Sequence, residues 1–133
     1  MREMVFCRQS DRNHIYREKD GFFGPVVDGK TFLLLPEGLF KGGDGTRFRV
    51  VVDMETRQAE DGSSWSLQLW APGAVLGANA RVPTPDGDSG AERYVLDLKK
   101  GGRNSSDTYH ICFQWGKGGR VKLDRIKIVR IGD

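Results

Sequence analysis

Tyr109-His110-Ile111-Cys112-Phe113-Gln114-Trp115 is the stretch from which the fold is read. In an extended chain Tyr109, Ile111, Phe113 and Trp115 share one side, and His110, Cys112 and Gln114 share the other. That period of two marks a half-buried strand, with one face feeding a core and the other left polar. Gly116-Lys117-Gly118-Gly119 follows and predicts a turn, and residues 121–131 then read as a long closing strand.

Moving outward, the same alternation recurs. Residues 46–54 place Phe48, Val50, Val52 and Met54 on one face and Arg47, Arg49, Val51 and Asp53 on the other. Residues 64–70 set Trp65, Leu67 and Leu69 against Ser64, Ser66, Gln68 and Trp70, and residues 92–99 set Tyr94, Leu96 and Leu98 against Arg93, Val95, Asp97 and Lys99. Asp61-Gly62 is a hairpin-type connection. The continuous apolar run 31–35, closed by Pro36, predicts a core strand, and residues 4–7 a short first strand. Residues 71–90, rich in Ala, Gly and Pro, read as a long loop with a brief strand near residues 80–82. The expected class is all-β, an antiparallel β-sandwich (jelly roll) of about eight or nine strands in one domain over residues 1–133.

Composition agrees. Eighteen glycines against five prolines supply many turns and leave little room for helices. A net charge of +3 with both signs interspersed falls short of a nucleic-acid signature, though it suits an acidic ligand. No apolar run reaches membrane-spanning length, and no signal-peptide pattern opens the chain. Cys7 and Cys112 either bridge, if the first strand lies near the penultimate one, or remain two buried thiols.

The polar faces of the three strongest strands carry the candidate site. They offer Arg47, Arg49 and Asp53; Ser66, Gln68 and Trp70; and His110, Cys112 and Gln114. If these strands are neighbours, one sheet face carries planar donors and acceptors around an exposed ring. Sugars need that chemistry: directional partners for hydroxyls and an aromatic plate for the C–H face. Each residue singly also fits a solvated outer face. Trp65, Tyr94, Tyr109, Phe113, Phe48 and Trp115 share faces with aliphatic residues and are expected in the core; Phe22, Phe23 and Phe40 sit in loops.

Catalytic patterns mostly fail. Only His14 and His110 exist, so a three-histidine metal centre is excluded. No serine sits in a nucleophile elbow and no phosphate-binding glycine motif precedes a helix.

Val121-Lys122-Leu123-Asp124-Arg125-Ile126-Lys127-Ile128 resembles the closing strand of jelly-roll carbohydrate-binding modules of the galactose-binding-like class. Arg47-Phe48-Arg49-Val50-Val51-Val52-Asp53 resembles their central strand, and Tyr94-Val95-Leu96-Asp97-Leu98 the strand after their long loop. The resemblance spans roughly residues 46–131, as a pattern and not as a specific motif. It implies a noncatalytic, extracellular module appended to a larger secreted enzyme such as a glycoside hydrolase. Such a module binds polysaccharide on a sheet face, here through Arg47, Arg49, Gln68, Trp70, His110 and Gln114. The expected state is a monomer with no nucleic-acid or membrane partner. The resemblance also implies one structural calcium at Asp124 with oxygens of the N-terminal segment; a salt bridge from Asp124 to a neighbouring Arg or Lys explains that residue equally well. The competing readings are a protein-interaction or structural sandwich using the Phe22, Phe23 and Phe40 loops, and a small hydrolase or lyase with an acidic pair.

Overall fold

A computed structural model describes residues 6–8, 14–15, 21–22, 29–57, 65–72, 75–82, 89–115 and 119–132. Nine strands are present among them and no helix: β1 Phe6–Arg8, β2 His14–Ile15, β3 Gly29–Leu33, β4 Arg47–Arg57, β5 Trp65–Ala71, β6 Val75–Val82, β7 Ser89–Lys99, β8 His110–Trp115 and β9 Arg120–Gly132. They form two antiparallel sheets, one of six strands in the order β2-β1-β3-β8-β5-β6 and one of three in the order β7-β4-β9.

The alternation seen in the sequence decides which side of each strand is dry. Along β4, Phe48, Val50, Val52, Met54 and Thr56 are buried, while the residues between them are exposed or half-buried. Leu96 and Leu98 of β7 and Val121 of β9 join them from the same sheet. From the opposite sheet come Leu33, Leu67, Leu69, Ile111 and Phe113, so one core draws on both layers. Each such side chain contributes roughly 1.5–3 kcal/mol on burial, which is why the period of two dominates the fold. The expected core aromatics Phe48, Tyr109 and Phe113 are buried and Tyr94 is half-buried. The side chains of Trp65 and Trp115, the Asp61-Gly62 turn and Phe23 lie outside the described residues.

Three expectations change. Most of the segment expected to be a long loop is strand: β6 runs from Val75 to Val82 and pairs with β5 along its length, and β7 begins at Ser89. Gly and Ala are poor strand formers, which hid β6, yet small residues are what this position needs. Gly77 sits where the register with β5 shifts, and a Cβ there would lie 2.7 Å from Cε1 of Tyr109 and 3.1 Å from Cδ1 of Leu98. The second change concerns the loop aromatics. Phe40 is fully buried, edge-on to Phe48 at 5.4 Å and to Tyr109 at 5.3 Å between ring centroids. Phe22 is buried too, with the Arg57 guanidinium 4.3 Å above its ring, so neither ring is offered to a partner. Third, β3 separates β1 from β8, with Cys7 opposite Phe32 and Phe32 opposite Cys112. Two strand spacings, about 9–10 Å, exceed what a disulfide spans. Cys112 is buried and in no disulfide.

Among the described residues, one charged group is enclosed with the core. Lys100 follows Leu96 and Leu98 on the inward side, and its side chain is 2% exposed. Its ammonium donates to the Phe40 carbonyl at 2.8 Å, to the Ser106 carbonyl, and to Oδ1 of Asp107 at 3.2 Å. Its backbone carbonyl accepts from Gly45 at 2.9 Å, where a φ of 90° requires glycine in the turn entering β4. Lys100 thereby ties residues 40–46 to residues 106–107.

Two stability outcomes follow. Gly77→Ala should lose about 1–3 kcal/mol in a urea titration, because the Tyr109 ring must shift inside a packed core; an unchanged midpoint would show that the ring gives way freely. Lys100→Ala leaves two carbonyls and a carboxylate without their cation and should cost about 3 kcal/mol or more. A loss under about 1 kcal/mol would mean that the ammonium does not hold these loops.

Candidate functional site

The six-stranded sheet brings β5 and β8 side by side, and their register sorts the predicted residues into rows on its outer face. Cys7, Phe32, Cys112, Gln68 and Asn79 lie in line across five strands. Gln114 stands opposite Ser66 on one side of that row, and His110 opposite Trp70 on the other. The adjacency on which the candidate site depended therefore holds for Gln68, Trp70, His110 and, by backbone register, Gln114. The side chain of Gln114 lies outside the described residues.

This face is drier than the sequence suggests. Cys112 is fully buried and Gln68 is 8% exposed, while Trp70, His110 and Phe32 are half-buried. Phe32 belongs to the apolar run expected as a core strand and meets Trp70 edge-on at 6.3 Å between centroids. The polar groups form a chain along β5: the Trp70 indole N–H donates to Gln68 Oε1, and Gln68 Nε2 donates to Ser66 Oγ at 3.0 Å. The planar amide is thus fixed in one orientation between a ring and a hydroxyl, as a polar group this buried must be.

His110 is held at the end of the same face. Its Nδ1 accepts the Leu35 backbone N–H at 3.0 Å, which leaves Nε2 as the protonated nitrogen of the neutral ring. Burial pushes its pKa below the ordinary value of 6.5, against a smaller upward pull from Glu37. Nearby, Glu37, Gly38, Lys41, Asp107 and Thr108 line an open cleft, and the Gly38 N–H donates to Thr108 Oγ1 at 3.1 Å. Residues of this cleft come from two loops that only the fold brings together, so no period or motif announces them.

The remaining predicted residues are elsewhere. β4 is the central strand of the three-stranded sheet, so Arg47 and Arg49 project from the opposite outer surface of the molecule, across the core from Trp70. They do not share a face with Gln68 and His110, which corrects the assumption that all three polar faces merge. Arg49 is engaged by Asp97 of β7 through two bonds of 2.8 and 3.0 Å, and this pairing lowers the Asp97 pKa. Asp124 is exposed on β9, where the register with β4 shifts between Asp53 and Met54. It provides one carboxylate of the six to eight oxygens that calcium takes. No group of three or more His, Cys, Asp or Glu side chains suited to a metal ion occurs among the described residues.

No protein-family model matches the chain, and no curated protein matches it. The reading of function therefore rests on the geometry of the two sheet faces.

The His110 environment has a pH signature. A depressed folded-state pKa means that the unfolded chain binds the extra proton first, so this contribution to stability is complete above pH 6.5 and is lost as pH falls below it. Denaturant titrations of the native protein and of His110→Gln between about pH 7.5 and 5 should therefore diverge, the native protein losing more stability on acidification. Parallel pH profiles would show that the imidazole is not held neutral.

Proposed function

We propose that this protein is a noncatalytic carbohydrate-binding module of jelly-roll topology, with about eight or nine strands, that takes a polysaccharide on the outer face of its six-stranded sheet. The observation that supports the reading is the pairing of β5 with β8, which aligns Trp70 with His110 and sets Gln68 beside both. A half-buried indole with the Phe32 ring perpendicular to it offers apolar surface, and a sugar ring stacks on an aromatic plate through its C–H face. The fixed Gln68 amide and the His110 Nε2–H are oriented before a ligand arrives, which lowers the entropic cost of directional bonds to hydroxyls. In this reading the module is extracellular, monomeric and part of a larger secreted enzyme. The calcium implied by the family resemblance would lie at Asp124 on the other sheet, away from the sugar.

A second reading is a structural or protein-interaction sandwich without sugar binding. It is favoured by the internal bonding of the same face, because Gln68 already serves both Ser66 and Trp70. In its version based on the loop aromatics, Phe22 and Phe40 are buried and do not supply the contact surface.

A panel of immobilised neutral glucans, mannans and xylans separates the two. Retention on at least one, weakened by about 1–3 kcal/mol in Trp70→Ala and largely kept in Trp70→Phe, is the expected result. Silence across the panel, or binding indifferent to Trp70→Ala in a protein that still folds, would favour the structural sandwich.

A further inference from the structure

The outer surface of the three-stranded sheet has a different chemistry. β7, β4 and β9 turn one side outward, and that side is dominated by cations. Arg49 is paired with Asp97, and Arg93 with Asp53 at 2.8 and 3.2 Å. Lys122 stands 4.0 Å from Glu55. Four further cations on the same face, Arg47, Lys99, Lys127 and Arg125, are exposed and form none of these pairs. Arg57 and Arg120 face outward by the same register and lie over the Phe22 ring, so nine cations meet three carboxylates. Even with Asp124 at the strand irregularity counted against them, the surplus exceeds the net +3 of the whole chain.

The arrangement makes that surplus persistent. Asp97 lies within the fields of both Arg49 and Arg47, and Asp53 within those of both Arg93 and Arg125. Each carboxylate is committed through two bonds to one guanidinium and can only partly offset the second. Arg47 and Lys99 are directly opposite each other at one end of the face. Lys127 aligns with Val51, four residues along β4 from Arg47, and Arg125 aligns with Asp53, two further on. At the rise of an antiparallel strand these steps are about 13 and 7 Å. The cations therefore run diagonally over the sheet as a track, with Val51, Val95 and Val129 between them. Val95 is 45% exposed, an apolar patch within a charged surface.

We propose that this face is a second binding surface, taking a linear polysaccharide that bears carboxylate or sulfate groups. Charge complementarity along the track selects a polyanion. The absence of any aromatic ring among the described outward residues of β7, β4 and β9 argues against single-stranded nucleic acid, whose bases are held by stacking. A polymer with regularly spaced anions and a C–H surface matches both the cations and the valines. The surface lies across the core from Trp70, so it acts independently of the face assigned to the neutral saccharide, and either can fail alone.

The test is affinity electrophoresis and titration calorimetry of the whole chain with heparin and with polygalacturonate, alongside a single-stranded oligonucleotide of similar charge. Binding to at least one acidic polysaccharide should weaken steeply from about 50 to about 200 mM salt, as release of the cations condensed on the polyanion predicts. The fourfold variant Arg47→Gln, Lys99→Gln, Arg125→Gln, Lys127→Gln should lose about tenfold or more in affinity at low salt. Trp70→Ala should lose nothing in this assay, and Arg47→Lys with Arg125→Lys should keep most of the affinity, which controls for folding. Salt-insensitive binding, no binding, or an unchanged affinity in the fourfold variant would overturn the proposal. Equal or tighter binding of the oligonucleotide would overturn it too, by assigning the face to nucleic acid.

Discussion

An ammonium group enclosed at the end of the core is the constraint on which much else depends. A buried cation is tolerated only when it is met by oxygens, and Lys100 meets three, from Phe40, Ser106 and Asp107. Those contacts seat Phe40 between Phe48 and Tyr109, and Tyr109 in turn requires the bare backbone of Gly77. Tyr109 also leads into β8, whose outer face bears His110 and Cys112. The position of the candidate saccharide face is therefore transmitted from Lys100 through ring packing and one glycine.

The two sheets divide the polar chemistry between them. On the six-stranded sheet, Trp70, Gln68 and Ser66 are buried or half-buried and bonded to one another, with Gln68 as the joint. On the three-stranded sheet the polar side chains are exposed and charged, and cross-strand pairs such as Arg49–Asp97 and Asp53–Arg93 follow directly from the register of β4 on β7. Exposed pairs of this kind add little stability. Their larger effect is to hold guanidinium groups at set spacings. The same alternation that builds the core produces both the face proposed for a neutral saccharide and the face proposed for a charged chain.

Alternation was legible because it is local. Phe48, Val50 and Val52 against Arg47, Arg49 and Val51 can be read without knowing any neighbour, since side chains on a strand point to opposite sides in turn. The inward direction of Lys100 was available from the same parity, after Leu96 and Leu98. Of β6 only the end near residues 80–82 was legible, because Gly77, Ala78 and Ala80 lack strand propensity and are favoured only by the ring and aliphatic groups packed against them.

By itself the sequence determined the all-β class, most strand positions and which side of each strand faces the core. Only the tertiary structure decided which strands are neighbours. It joined Trp70 to His110, sent Arg47 and Arg49 to the opposite sheet, and placed Phe32 between Cys7 and Cys112. The reason is physical: a strand's two faces follow from backbone geometry over a few residues, whereas strand pairing is set by contacts between residues far apart in the chain. A binding face belongs to several strands at once, and its membership is written in that pairing.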